Sequence, residues 1–357
     1  MGLAGWRRAL PAKPKPLSNH ESDKGDNRQK RGTSDHRLGE NAGRKVCHLA
    51  RLNGTDITQR QIQHFKLLSQ SNIYVALQYS KRWQWGQGVE MAKIKLATWN
   101  INSVRLRAEL VTSFLKAHKP DVLCLQETKV PDPLFPTEPF NALGYTHQAI
   151  SGQKGYHGVA ILSRLPFKKT VAKAFCGKDD TRHVSVLFEA GLELHNFYVP
   201  AGGDIPDVKA NPKFAHKLDF LREMERVFSK QRKKRSQPVV LVGDLNVAPL
   251  ENDVWSHKQL LDVVSHTPVE TDLLAKAFKA FDWHDVTRSF VPADKKIYSW
   301  WSYRAADWEE SDRGRRLDHI WVSPALKDGL SHHTILREAR GWDRPSDHVP
   351  VMTTISF

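Results

Sequence analysis

From Met91 onward, apolar runs alternate with polar junctions, and the period of each run predicts an element. MAKIKLATWNI alternates with a period of two, with Ile94, Leu96 and Thr98 on one face, and reads as a strand. Residues 103–119 place Leu110, Phe114 and Ala117 on one helical stripe, with Val111 and Leu115 beside it, and Pro120 closes the helix. DVLCLQE is nearly continuous in apolar residues, as a strand central in a sheet would be. Further strands are predicted at HGVAILS, PVVLVGD, RLDHIWVS and VPVMTTISF, and HVSVLFEA with LELHNFYV reads as a hairpin across Gly191. A long amphipathic helix fits residues 212–230, and shorter helices fit 271–280 and the segment near 251–261. Most connections are too short for crossover helices, so the fold class is α/β with many antiparallel pairs. No internal repeat of fixed period is present.

Residues 1–90 have a different character. Stretches such as PAKPKP and SDKGDNRQKRGTSD are polar, charged and without apolar periodicity, which predicts a basic extension of low order. A short apolar patch at 65–79 fits a helix or a strand but has no evident partner. MGLAGWRRAL lacks the apolar core of a signal peptide, and Trp6 stands where myristoylation wants Ser or Thr. Asn53-Gly54-Thr55 is a glycosylation sequon, which has meaning only in a secreted protein. Two explanations fit the break at Met91. Either Met91 is the true start, behind codons that can spell a ribosome-binding site at Gln87-Gly88-Val89, or 1–90 is a basic tail that adds salt-sensitive affinity for a polyanion. The folded unit is accordingly expected at 91–357.

Charge and cysteine usage narrow the picture. The chain has 54 Lys and Arg against 39 Asp and Glu, a net +15 that favours polyanionic partners. Nine of those charges fall in residues 1–90, so the remainder is only mildly basic and rich in potential metal-binding carboxylates. Cys47, Cys124 and Cys176 are too few and too scattered for a disulfide framework or a zinc site, which fits a reducing, cytoplasmic compartment. No apolar run is long enough to span a bilayer.

The candidate chemistry lies where apolar strands end in polar residues. Asn100 and Asn102 close the first strand, and Glu127 closes the second. Tyr198 ends LELHNFYV, Asp244 and Asn246 follow PVVLV, Asp318 interrupts RLDHIW, and Asp347-His348 precede the last strand. Carboxylates, amides and one histidine at the rim of a sheet can hold a hard divalent cation through oxygen. Each has a bland alternative: Glu127 beside a helix start, GDLN as an ordinary turn, Asp347-His348 as a structural pair, the asparagines as helix caps, Tyr198 as packing. The joint recurrence at strand ends favours a site.

In order, the segments WNIN, LQETK, QKGYHGVAILS, YVPAGG, GDLNVAP, YSWWSYR, RRLDHIW and PSDHVP closely resemble the exonuclease III family of abasic-site endonucleases, within the DNase I-like superfamily. The resemblance spans residues 93–357 and leaves 1–90 unmatched. It implies a four-layer α/β/β/α sandwich of two packed mixed sheets with the site at one edge. It also implies a Mg²⁺-dependent (Mn²⁺-tolerant) enzyme that acts on duplex DNA at abasic sites and damaged 3′ ends, and a monomer is the default for a nuclease that must ride a duplex. By the same resemblance, Glu127 is the main metal ligand with Asn102 nearby, and Asp347 matches a position near a second metal location. Asp244, held by Asn246, orients or deprotonates the attacking water. His348 paired with Asp318 binds the scissile phosphate, and Tyr198 and Asn100 support it. Asp244 and Asp318 also count among the candidate metal-side carboxylates.

For DNA, the resemblance implies contacts from Gly155 and Tyr156 and a sugar pocket walled by Trp300 and Leu317, and the nearby Lys154 is placed to contact phosphate. Arg315 departs from the pattern, because known members carry Leu or Trp there. It either contacts phosphate or shifts the balance between endonuclease activity and 3′-end trimming. Trp300, Trp301 and Tyr303 are equally compatible with core packing. KQRKKR at 230–235 fits a DNA patch, a localisation signal or, better, a solvated helix C-terminus whose basic residues complement the dipole. Two other functions stay open from sequence: a superfamily phosphodiesterase or phosphatase for RNA or a phosphorylated small molecule, and an inert DNA-binding relative.

Overall fold

The computed structural model describes residues 92–305 and 307–357. The expectations for 1–90, for Cys47 and for a start at Met91 lie outside them. In chain order the elements are β1 (Lys93–Asn100), α1 (Ala108–His118), β2 (Val122–Gln126), β3 (His147–Ser151) and β4 (Val159–Ser163). Then come β5 (Phe167–Ala172), β6 (His183–Phe188), β7 (Glu193–Tyr198), α2 (Pro212–Gln231), β8 (Val239–Asp244) and α3 (Pro268–Ala280). The last are β9 (His284–Asp285), β10 (Trp300–Trp301), β11 (Gly314–Arg315), β12 (Asp318–Val322), β13 (Leu330–Ile335) and β14 (Val351–Ser356), with single helical turns between.

Two six-stranded sheets result, in the orders β13-β14-β1-β2-β4-β3 and β5-β6-β7-β8-β12-β9. The two long crossovers through α1 and α2 make β1/β2 and β7/β8 parallel, and the short connections make the other pairs antiparallel. Alternation sends one set of side chains between the sheets, where Leu96, Cys124, Ile161, Val186, Leu194, Val242, Ile320 and Val351 form a common core. The opposite set in the first sheet, including Trp99, Leu123 and Leu162, packs on Phe114 and Leu115 of α1. In the second sheet, Phe197, Leu241 and Trp321 pack on Phe220 and Met224 of α2 and Leu274 of α3. The expected α/β/β/α sandwich is therefore present. Cys124 and Cys176 are both free.

Several boundaries differ from the periodicity. The helix expected from residue 103 begins at Ala108, because Ser103 N–H and Val104 N–H donate to the Glu127 and Thr128 carbonyls. That extends the strand pairing beyond β1 and β2. α3 starts three residues earlier than expected, on a capping box between Thr267 and Glu270 with Pro268 in the first turn. The segment at 251–261 divides into two single turns, since Trp255 N–H is drawn to the Gly314 carbonyl. β3, β5 and β13 were not foreseen. Each is an edge strand, and HQAIS, FKKTVA and LSHHTI carry polar and basic residues in place of alternation.

Candidate active site

Register brings the polar strand ends together. Asp244 ends β8 with Tyr198 of β7 opposite it on one side and Asp318 of β12 on the other. In the first sheet Asn100 is opposite Gln126, which puts Glu127 one residue beyond the pair. Trp300 bridges to His348, just before β14. The approach of β8 to β7 requires glycine at 243: its φ is +135°, and a Cβ there would lie 1.9 Å from the Phe197 carbonyl oxygen.

Asn100 joins carboxylates from the two sheets. Its Nδ2 donates to Glu127 Oε1 at 3.0 Å and to Asp244 Oδ2 at 2.9 Å. The Tyr198 hydroxyl donates to the same Glu127 oxygen at 2.8 Å. Asn246 grips Asp244 twice, with N–H to Oδ1 and Nδ2 to Oδ2, both 2.9 Å. Burial raises the Asp244 carboxyl above the usual range. His348 and Asn100 work against that rise, while Asp318 and Glu127 reinforce it. Burial also pushes the Tyr198 phenol well up, reinforced by Glu127.

His348 Nδ1 donates to Asp318 Oδ2 at 2.8 Å. Ser299 Oγ donates to that same oxygen at 2.7 Å and accepts the N–H groups of Leu317 and Asp318. Burial alone would lower the His348 imidazolium, but the Asp318 and Asp244 carboxylates outweigh it and hold the ring charged well above the ordinary imidazole range. Its Nε2 faces Asp244 Oδ2 at 3.7 Å, beyond hydrogen-bond reach.

Glu127 Oε2 and Asn102 Oδ1 converge on one point, where the Lys129 ammonium sits 2.8 Å and 2.6 Å from them. Asn102 Nδ2 donates to Asp347 Oδ1 at 3.1 Å, and Trp300 Nε1 donates to Asp347 Oδ2 at 3.0 Å. Burial opposes ionisation of Glu127, but Lys129 and Asn100 keep its carboxyl below the usual range. Carboxylate and amide oxygens focused on a cation suit a hard divalent ion. A second group, Asp244, Asp318 and His348, has ligand atoms within 4.8 Å of one another. Both arrangements, Glu127 with Asn102 and the Asp244–Asp318–His348 group, thus present ligand atoms that a cation could use.

The backbone around these groups is strained. Asn102, Glu127 and Asn246 have φ of +47°, +51° and +54°, although none is glycine. Such conformations cost on the order of 1–3 kcal/mol each and persist where the surroundings enforce them. Asn tolerates the left-handed region, so Glu127 is the more telling case.

The DNA-contact expectations divide. Lys154, Gly155 and Tyr156 occupy an exposed loop, with Tyr156 71% exposed. The loop is tied to the site because Lys129 N–H donates to the His157 carbonyl. Leu317 is buried against Ala248, Val254 and Leu260, with Trp300 packed on the same cluster. The Arg315 guanidinium stacks 5.2 Å from the Trp300 ring, while its Nη1 donates to Val264 O (2.9 Å) and Ser265 Oγ (2.7 Å). Trp301 is core, whereas Tyr303 is 48% exposed. In the basic run, Arg232 pairs with Asp282 and Lys234 with Glu193, which favours the structural reading for those two.

Sequence reasoning missed Lys129, Ser299, Ser346 and Arg107. Ser346 Oγ donates to the Asn100 carbonyl at 2.7 Å. Arg107 donates to the carbonyls of Ile101, Asn102, Arg344 and Pro345, binding the loop after β1 to the loop before β14. Lys129 had a signal, two residues after Glu127 in LQETK. Ser346 stands beside Asp347-His348 in PSDHVP and Arg107 lies within six residues of Ile101 and Asn102, whereas Ser299 had no signal, its partner Asp318 being 19 residues away.

Residues 97–348 match the Endonuclease/Exonuclease/phosphatase family. The chain is 30% identical over 271 residues to exodeoxyribonuclease III of Haemophilus influenzae, covering 72% of this chain and 98% of that relative. Among solved structures, an AP endonuclease from Archaeoglobus fulgidus superposes with a TM-score of 0.66 at 31% identity, covering 73% of this chain and 98% of that one. The 3′ phosphatase NExo from Neisseria, bound to a product DNA hairpin, gives 0.68 at 29% identity, covering 74% and 100%. Nearly the full length of each relative is thus matched by the part of this chain that carries the convergent strand ends: it belongs to the endonuclease/exonuclease/phosphatase family, in its exonuclease III branch, and is a hydrolytic DNA-repair nuclease.

Proposed function

We propose that residues 91–357 form a Mg²⁺-dependent catalytic unit, with Mn²⁺ as a substitute. It hydrolyses the phosphodiester 5′ to abasic sites in duplex DNA and trims damaged 3′ ends, as a cytoplasmic monomer. The observation that carries this reading is the Asn100 amide, which sets Glu127 and Asp244 side by side with His348 facing the same space. Asp244, aimed by Asn246, orients the attacking water and takes its proton. His348, kept charged by Asp318, donates from Nε2 to a phosphoryl oxygen as negative charge grows there. Tyr198 and Asn100 fix Glu127, and Glu127 with Asn102, and Asp347 alongside, would hold the cation. When bound, that cation neutralises phosphoryl oxygens and stabilises the leaving 3′ oxygen. Lys154, Gly155 and Tyr156 contact the backbone of the duplex, and Trp300 and Leu317 wall the sugar pocket.

One observation favours a shift of emphasis within this function. Arg315 reaches across to Val264 and Ser265 and covers the Trp300 face, so the pocket wall is clasped where an apolar residue would leave it open. Processing of 3′ ends is then the stronger activity, and Arg315 governs the ratio. The test is a duplex with one tetrahydrofuran abasic analogue beside a nicked duplex with a 3′-phosphate, each with Mg²⁺ or EDTA. Metal-dependent product from either duplex supports the proposal, and no product from both at high enzyme rejects it. Arg315→Leu is expected to raise abasic incision relative to 3′-phosphate removal, and an unchanged ratio would mean that Arg315 has no part in substrate choice.

A further inference from the structure

Beneath the Asp244–Asn246 turn lies a fully buried ion pair that the proposed reaction does not use. Lys217 of α2 and Glu270 of α3 are both 0% exposed, with Nζ 2.5 Å from Oε1. An ammonium has three protons, and here each has an acceptor. One goes to Glu270, one to the Asn246 carbonyl at 2.7 Å, and one to the Ala201 carbonyl at 3.2 Å. Glu270 is equally committed: it accepts from Ser265 N–H at 3.0 and 2.9 Å, from Thr267 N–H at 3.2 Å and from Thr267 Oγ1 at 2.6 Å.

Apolar packing would join α2 to α3 at least as well, since a buried ion pair gains little over well-packed hydrophobic residues of similar size. What distinguishes this pair is where its remaining bonds end. Asn246 is the residue in the left-handed conformation whose N–H and amide hold Asp244. Ala201 follows the strand that delivers Tyr198. Ser265 is the residue clasped by Arg315 at the pocket wall. The close fit extends to Gly202, where a Cβ would come within 2.9 Å of the Lys217 side chain.

We infer that Lys217 and Glu270 are positioning residues for catalysis. The ammonium pins the strained turn that aims Asp244, and the carboxylate carries the same constraint to the Ser265 segment of the pocket wall. This rests on the role proposed for Asp244. Lys217→Met alone would strand the Glu270 charge in the core, so the test combines it with Glu270→Gln. Glutamine can serve in the capping box at the start of α3 and leaves no unpaired charge. The double variant in the full chain is expected to lose kcat on the order of 10- to 100-fold, the range seen for small misplacements of catalytic groups, with KM unchanged. Hydrogen exchange at the amides of residues 245–248 is expected to quicken, while the rest of β8 keeps its protection. Wild-type kcat, a loss confined to KM, or unchanged exchange at 245–248 would overturn the inference. The exchange measurement needs no substrate, so it reports on the turn even if the nuclease proposal itself fails.

Discussion

Asn100 and Asp244 show how single side chains join strand ends of two sheets into one polar cluster. Asp244 accepts three hydrogen bonds from two asparagines while burial works against its ionisation. A group held in this way can change its charge without changing its place. Asp244→Asn keeps the shape and removes the charge, so kcat should fall on the order of 10²- to 10⁴-fold, the contribution of a positioned acid–base group. The Kd for substrate duplex, measured by fluorescence anisotropy in EDTA, should stay within about threefold, since phosphate contacts supply most of the affinity. A Kd that weakens in step with kcat would move Asp244 from the chemistry to binding. These residues were legible in sequence because each closes an apolar run. Ser299 was not, because the Asp318 oxygen it serves reaches it only through the β10–β12 arrangement.

At the scale of elements, legibility followed burial. β1, β2, β4, β7 and β8 carry apolar side chains on both faces and were visible as runs, whereas the edge strands β3, β5 and β13 answer to the solvent and lost the pattern. Tertiary bonds reset the segment at 251–261 as well. There Asp253, 0% exposed, holds Arg316 through two oxygens and Arg288 through one, and Arg316 reaches on to Asp285 beside β12. Burial raises the Asp253 carboxyl, but Arg316 and Arg288 outweigh it and set it below its ordinary 3.8. Burial opposes the Arg316 charge, and its two carboxylates more than restore it. A depressed carboxyl contributes stability that is present above its unfolded value and lost as pH falls through the folded one. Asp253→Asn should therefore lose about 3 kcal/mol at neutral pH, the lower end of the penalty for removing one partner of a buried pair, because Arg316 keeps Asp285. In urea titrations the gap to wild type should close as the pH drops below 3.8. A gap that is constant with pH would mean that the loss comes from packing and not from charge.

For the whole molecule, the site sets a conflict that charge distribution has to resolve. Glu127, Asp244, Asp318 and Asp347 gather at one edge of the two sheets, where a polyanion must approach. Lys129 and a charged His348 offset part of this locally. The remainder of residues 91–357 is only mildly basic, because nine of the chain's 15 net positive charges lie in residues 1–90. Affinity for undamaged duplex and chemistry at the lesion should therefore be separable along the chain. DNA affinity falls with salt by a slope of about 0.9 per phosphate neutralised, so the slope counts the cations in contact. A chain beginning at Met91 should keep the kcat of the full chain on a nicked or abasic duplex and show a shallower plot of log Kd against log salt. The difference in slope divided by about 0.9 gives the number of phosphates that residues 1–90 engage. Equal slopes would assign all phosphate contacts to residues 91–357. A lower kcat for the shorter chain would place part of the catalytic unit before Met91.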